Sequence, residues 1–309
     1  MIPVAEARRF VLSACRPLPI GPVHMRDALG HVLAEVLRAP EAVPRFANSA
    51  MDGYALRAVD THPAPARLRV LGSVMAGDHS KVLVSAGDAI RIMTGAPVPP
   101  GADAVCMIER TRVEEHGAIV VVEEAVHPGT NVRRAGEDVL MGAELFGPGT
   151  RVGPAHLGVL SSLGIESVLA YRRPTVGVLS TGDELLTTAG TPGPGKIRDA
   201  NRPALLAQIQ TDGFQTVDLG IARDDEGLLA EILEDGASRC DAIVASGGVS
   251  VGDRDAMKAV LEKMGGSTVR SMQVAVKPAK PFAFARLDGT GTPVFGLPGN
   301  PVSALVSYE

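Results

Sequence analysis

Apolar residues fall at helical spacing from Pro3 to Ala14, and Arg16-Pro17-Leu18-Pro19 stops the pattern because proline removes a donor and restricts its predecessor. A helix followed by an extended link is predicted to open the chain. From Leu68 to Glu123 the pattern shortens to β-rich runs, predicting strands over Leu68–Val74, Ala89–Met93, Ala104–Glu109, Arg112–Val113 and Ala118–Val122. His116-Gly117 stands where a hairpin turns. Around Gly153 to Gly164 a helix returns, started near Pro154. The order predicts a compact β module inserted into a helical domain whose halves flank it.

Beyond Arg173 short apolar strands alternate with amphipathic helices. Thr175–Ser180, Thr216–Ile221 and Ala242–Ala245 read as strands buried on both faces, with helices over Pro203–Thr211 and Glu226–Leu233 between them. Asn201 is placed to cap the first of these helices, and Asp224-Asp225 precede the second. A helix over Asp255–Met264 then leads to strands Val269–Val276, Phe282–Arg286 and Val294–Gly296. This alternation predicts a mostly parallel sheet with helices on both sides, which binds ligands beyond the carboxyl ends of its strands.

Composition narrows the function classes. The 309 residues allow two or three folding units, and 45% apolar content excludes a disordered chain. A formal net charge of −5, with no basic block and 3% aromatics, argues against binding to nucleic acid. The longest uncharged stretch, Gly289 to Tyr308, holds four glycines and three prolines and is not a membrane helix. No signal peptide or lipidation motif is seen, so the expected compartment is the cytoplasm. Cys15, Cys106 and Cys240 lie far apart, which predicts buried packing rather than disulfides or a thiolate zinc site; the seven histidines form no metal-ligand pair.

Three loops fall at predicted strand ends. They are Ser180-Thr181-Gly182-Asp183-Glu184, the segment Ser246-Gly247-Gly248-Val249-Ser250 continuing to Asp253, and Leu297-Pro298-Gly299-Asn300-Pro301-Val302-Ser303. Each joins glycine, which lets backbone amides approach a ligand, to hydroxyl or amide donors and a following helix start; together they suit an anion. None is a Walker loop or a dinucleotide fingerprint. In Lys277-Pro278-Ala279-Lys280-Pro281 two ammonium groups sit on a proline-stiffened segment, which reads either as a protected edge strand or as an oxyanion partner. Asp52 between small and apolar residues, and Arg133-Arg134 beside Glu137-Asp138, add acids and cations; with Glu184 and Asp255 they offer hard oxygen ligands for magnesium.

The ordered motifs SAMDGYA (49–55), MTGAPVP (93–99), RRAGED (133–138), STGDEL (180–185), DANRPAL (199–205), SGGVSVGDRD (246–255), KPAKP (277–281) and LPGNPVS (297–303) closely resemble the MoeA family across the chain. These are molybdopterin molybdenumtransferases, a family that includes the E domain of gephyrin. The resemblance implies molybdate insertion into adenylylated molybdopterin with release of AMP, assisted by a divalent cation such as Mg2+. It implies catalytic roles for Asp52, Asp138, Glu184, Asp255, Lys277 and Lys280, with the four acids as metal ligands. Thr94, Arg133, Arg134, Ser180, Thr181, Gly182, Asp183, Ser246, Gly247, Gly248, Val249, Ser250, Pro298, Gly299, Asn300 and Ser303 are implied to bind substrate.

It further implies a MogA-like molybdopterin-binding α/β domain (III, residues 172–309), a β-rich inserted domain (II, 46–138) and an elongated helical domain (I, 1–45 and 139–171). Family members are homodimers whose cleft pairs domain III of one subunit with domain II of the other. A MogA-like adenylyltransferase and molybdoenzymes or their chaperones are the implied partners, with neither nucleic acid nor membrane. The family continues into a C-terminal β domain (IV) that contributes to the molybdate pocket, whereas this chain stops at Glu309 inside the helix begun at Pro301. The rival reading is a molybdopterin-binding scaffold without turnover; an expected buried carboxylate cluster favours the enzyme. A lone adenylyltransferase is disfavoured by the roughly 170 residues that precede the α/β half. Which of Asp224 and Asp225 is functional stays open.

Overall fold

The structure, a computed structural model, describes residues 1–309 apart from 79, 188, 190 and 249–255. It divides into two compact units: Met1–Pro22 with Leu169–Glu309, and Val23–Val168. Helix α1, Val4–Ala14, opens the chain and ends where the proline-rich segment was expected to stop it.

The unit of residues 23–168 is built on a six-stranded sheet. Its strands are β1 (Gly53–Leu56), β2 (Ala66–Val74), β3 (Asp88–Ile92), β4 (Ala104–Met107), β5 (Thr111–Glu114) and β6 (Ile119–Val122), in the order β4-β1-β3-β2-β6-β5. β2 runs parallel to β3 and the other neighbours are antiparallel. Side chains alternate between faces: Tyr54 and Leu56 join Leu68, Val120 and Val122 in one core, while Ala55 joins Ile90, Ile92 and Val105 in another. The predicted turn between β5 and β6 is present, with Glu115, His116 and Gly117 all at positive φ. Helix α2, Pro154–Ser162, starts at its proline as the sequence indicates.

In the other unit the strands are β7 (Thr175–Thr181), β8 (Gln215–Ala222), β9 (Ala242–Ser246), β10 (Arg270–Gln273), β11 (Pro281–Arg286) and β12 (Pro293–Leu297). The helices are α3 (Asn201–Thr211), α4 (Glu226–Arg239), α5 (Ala256–Met264) and α6 (Pro301–Tyr308). The sheet order is β8-β7-β9-β12-β11-β10, parallel from β8 to β12 and antiparallel across β11 and β10. One face carries Leu229, Leu233, Met257 and Leu261 of α4 and α5. The other packs Leu205, Ile209 and Ala304 of α3 and α6 against Val176, Val178 and Val244. Phe10 of α1 meets Phe284 edge-on at 5.8 Å, and the N–H of Ile2 donates to the carbonyl of Gln273 at 2.8 Å, so α1 packs within this unit.

Three local expectations are corrected. β8 is not buried on both faces: it is the sheet's edge, and its residues are half-buried or exposed up to Ala222. Asn201 does not cap α3; the buried Asp199 does, accepting from the N–H groups of Asn201 and Arg202 at 3.2 Å each. The strand expected over Val269–Val276 ends at Gln273. Among the described residues all three cysteines are free, Cys106 and Cys240 buried, and no helix is long and apolar enough to cross a membrane.

Candidate functional site

Strands β7, β9 and β12 are adjacent and parallel, so the three glycine-containing loops that follow them emerge at one end of one sheet. The chain leaves β7 for β8 on one side and reaches β9 on the other, which makes this edge a topological switch point. Ser180 and Thr181 close β7 and Ser246 closes β9, all three buried. The N–H of Gly247 donates to Leu297 O at 3.1 Å, joining the second loop to the third. Gly247 adopts φ +98°, and a Cβ there would sit 2.4 Å from the carbonyl oxygen of Thr181, so only glycine fits. Gly248 follows at φ +63°. Pro298 is buried and Gly299 exposed, while Asn300 caps α6 by accepting from the N–H groups of Val302 (3.1 Å) and Ser303 (3.3 Å).

Two residues of the Asp199–Leu205 motif, absent from the expected site, tie these loops together. Asp199, 4% exposed, accepts from Ser180 Oγ at 3.0 Å and from Arg202 Nε at 3.0 Å. Arg202 also pairs with Asp218. The Asn201 amide donates to Ser246 Oγ at 2.6 Å and to the carbonyl of Gly299 at 2.8 Å. Among the described residues the side-chain oxygens Thr181 Oγ1 and Asn201 Oδ1 are buried without a hydrogen-bond partner, the state of groups that await a ligand or water. The sequence signal for both residues was their place inside a recognised motif, directly before α3.

Acids gather beside the first loop. The Glu184 carboxylate lies over Gly182, where an added Cβ would stand 2.6 Å from Oε2. Asp183 Oδ1 accepts from the N–H of Asp224 at 3.4 Å, and Lys196 Nζ donates to the Asp183 carbonyl at 2.5 Å. Burial pushes the Asp224 carboxyl up, and the nearby Asp183 and Glu184 charges push the same way. Asp225 turns instead to α4, accepting from Leu228 N at 2.8 Å. Of the pair left open by the sequence, Asp224 is therefore the one that faces the other acids.

Lys277 and Lys280 lie on the connection from β10 to β11 and are exposed. β11 runs antiparallel to β12 with Ala283 opposite Gly296, so the start of β11 lies at the end of the sheet where β12 finishes. The lysine segment thus begins its strand at the edge where the three loops emerge. Val249, Ser250 and Asp255 lie outside the described residues.

In the unit of residues 23–168, Asp52 Oδ1 accepts from both the N–H and the hydroxyl of Thr94 at 2.7 Å each. These bonds, the backbone one foremost, hold the Asp52 carboxyl below the usual carboxylate value. The paired strands Asn48–Ser49 and Val132–Arg133 position the second motif, in which Arg133 Nη2 donates to Asp138 Oδ2 at 2.7 Å and the N–H of Arg134 donates to Glu137 Oε2 at 2.8 Å. The expectation of a buried carboxylate cluster is not met: Asp52, Asp138 and Glu184 are exposed, and Asp199 is the buried carboxylate of the loop site. Among the described residues no group of three or more His, Cys, Asp or Glu side chains is arranged to hold a metal ion.

Comparison with known proteins assigns both units. Residues 2–164 match the MoeA N-terminal region (domain I and II), and residues 177–309 match the probable molybdopterin binding domain. The chain belongs to the MoeA family. It is 41% identical to the molybdopterin molybdenumtransferase of Haemophilus influenzae, aligning over 100% of this chain and 75% of that protein. Identity to the molybdopterin molybdenumtransferase of Bacillus subtilis is 36%, over 100% and 72%. Among solved structures, the molybdopterin biosynthesis MoeA protein from Pyrococcus horikoshii OT3 superposes with a TM-score of 0.83 at 30% identity, covering 100% of this chain and 76% of that one. The mixed α/β architecture expected from the sequence is that of this MoeA neighbour.

Proposed function

We propose that this MoeA-family chain is a molybdopterin molybdenumtransferase that inserts molybdate into adenylylated molybdopterin and releases AMP. The observation that carries the reading is the convergence of the Ser180–Glu184, Ser246–Gly248 and Leu297–Ser303 loops at one end of one sheet, in a chain whose whole length aligns with 75% of an enzyme of that name. Backbone amides and hydroxyls on those loops hold the phosphate-bearing substrate, and the Lys277–Lys280 segment attracts the tetrahedral oxyanion to the same edge. Val249, Ser250 and Asp255 belong to the proposed site by the family motif alone.

Domains I (1–45 and 139–171), II (46–138) and III (172–309) are the division we propose by family resemblance, although α1, assigned to domain I, packs in one compact unit with domain III. In a homodimer the Asp52, Thr94, Arg133, Arg134 and Asp138 groups of one subunit would complete the loop site of the other. Of the acids implied as metal ligands, Asp52, Asp138 and Glu184 are exposed carboxylates that would supply the one or two ligands Mg2+ needs when phosphate oxygens and waters complete its shell, and Asp255 joins them by the family motif alone. When bound, the ion neutralises phosphate charge. The protein's own groups bind, orient and hold the substrate. A MogA-type adenylyltransferase would supply the adenylylated substrate in the cytoplasm, and molybdoenzymes or their chaperones would take the product.

Incubating the purified protein with adenylylated molybdopterin, magnesium and molybdate, then quantifying AMP, tests the assignment. Molybdate-dependent AMP release is expected, and its loss in folded Asp52→Ala and Glu184→Ala variants. Unchanged release in both variants would remove their assigned roles. Molybdopterin binding with no AMP release would favour the scaffold reading.

A further inference from the structure

A cavity of about 580 Å³ opens at the end of the same sheet opposite the three loops, where Thr175, Asp241 and Pro293 stand at the amino ends of β7, β9 and β12. Its wall carries four guanidinium side chains, Arg16, Arg172, Arg239 and Arg286. Among the described lining residues Asp241 is the one acid, and Arg172 already engages it through two bonds of 2.7 and 2.5 Å. Arg239 pairs with Asp235 along α4. Arg286 spends only Nε, on the carbonyl of Gly291 at 3.1 Å, and Arg16 has no ion pair or hydrogen bond among the described residues. Cys15 and Cys240 also line the cavity, and burial pushes both thiols up, so they add no negative charge.

Among the described residues, therefore, Arg16 is unpaired and Arg286 has no acidic partner. The C-terminal ends of α1 and α4 abut it and oppose them with roughly half a charge each, which leaves the wall positive. Guanidinium forks match phosphate oxygens in shape and charge, and two forks offer more donors than a single carboxylate can accept. The volume exceeds what inorganic phosphate needs and lies within the range of about 300–1,000 Å³ typical of small-molecule sites. We propose that this cavity is a binding site for a small phosphorylated molecule, its phosphate held by Arg16 and Arg286 and its organic part in the remaining space. The site is separate from the three-loop edge and does not depend on the transferase reading.

Titration calorimetry with inorganic phosphate and with phenyl phosphate tests it. Binding is expected in the unmodified protein, tighter for phenyl phosphate. It should weaken about tenfold in Arg16→Ala, which removes one charge-assisted partner from an exposed position. Arg286→Lys keeps the charge but loses the fork, and a similar loss is expected there. Lys280→Ala, at the other end of the sheet, should leave this binding in place. Absence of binding, an affinity in both arginine variants equal to that of the unmodified protein, or a loss confined to Lys280→Ala would overturn the site. Phenyl phosphate no tighter than inorganic phosphate would overturn the place assigned to the organic part.

Discussion

The side-chain amide of Asn201 donates to Ser246 Oγ at 2.6 Å, linking the start of α3 to the end of β9 across 45 positions of sequence. The same amide reaches the carbonyl of Gly299, 98 positions away. One side chain thereby fixes the spacing of two loops of the candidate site. Asn201→Ala should raise the KM for adenylylated molybdopterin about tenfold, equivalent to the ~1.4 kcal/mol of one good hydrogen bond, while kcat changes less. Steady-state AMP release at varied substrate provides the measurement, and an unchanged KM would count against the role.

Asp199 joins β7, α3 and Arg202 from a buried position. Replacing it by alanine strands the α3 N–H donors and the Ser180 hydroxyl and takes one of two carboxylates from Arg202, at a cost of about 3 kcal/mol. Urea denaturation should show the midpoint falling with the slope conserved. A variant as stable as the parent would show that water replaces the carboxylate fully.

Gly247 has no room for a side chain. Gly247→Ala forces either a shift of the Thr181 carbonyl or a change of the loop's left-handed turn, and about 2 kcal/mol of stability should be lost. Because the displaced atoms belong to the site, AMP release should fall further than stability alone explains. Full activity in a destabilised variant would separate the loop from the chemistry.

The Asp52 carboxyl is held below its ordinary value of 3.8 chiefly by the backbone N–H and then by the hydroxyl of Thr94. A lowered pKa in the folded state means that the charged form stabilises the fold above the ordinary value, and that this contribution disappears as pH falls through the lowered one. Thr94→Val removes the hydroxyl bond and leaves the N–H, so the Asp52 pKa should rise part of the way back toward 3.8. Carboxyl carbon NMR titration reads this directly; a superimposable curve would mean that the hydroxyl contributes nothing.

Much of the site was legible before folding was considered. The alternation of apolar runs and helical spacing from Thr175 to Tyr308 gave the parallel strands, and the glycine-containing segments after Thr181, Ser246 and Leu297 followed at their ends. Asp199 and Asn201 stand within a sequence motif that does not reveal their roles, because a carboxylate or amide next to a helix start reads first as a cap. What distinguishes them is burial and partners brought from 19 to 98 positions away.

The chain's covalent order by itself determined the elements, since backbone sterics and hydrophobic period act over a few residues: α1 ends before its prolines, the hairpin turns at Glu115–Gly117, and α2 begins at Pro154. Tertiary structure alone decided strand order, and with it that β8 lies at the edge, that the lysine segment enters β11 at the end of the sheet where β12 finishes, and that Asp224 lies near Glu184 while Asp225 caps α4. Those relations depend on which surfaces bury one another across long separations, a collective balance of packing and desolvation that no local pattern encodes.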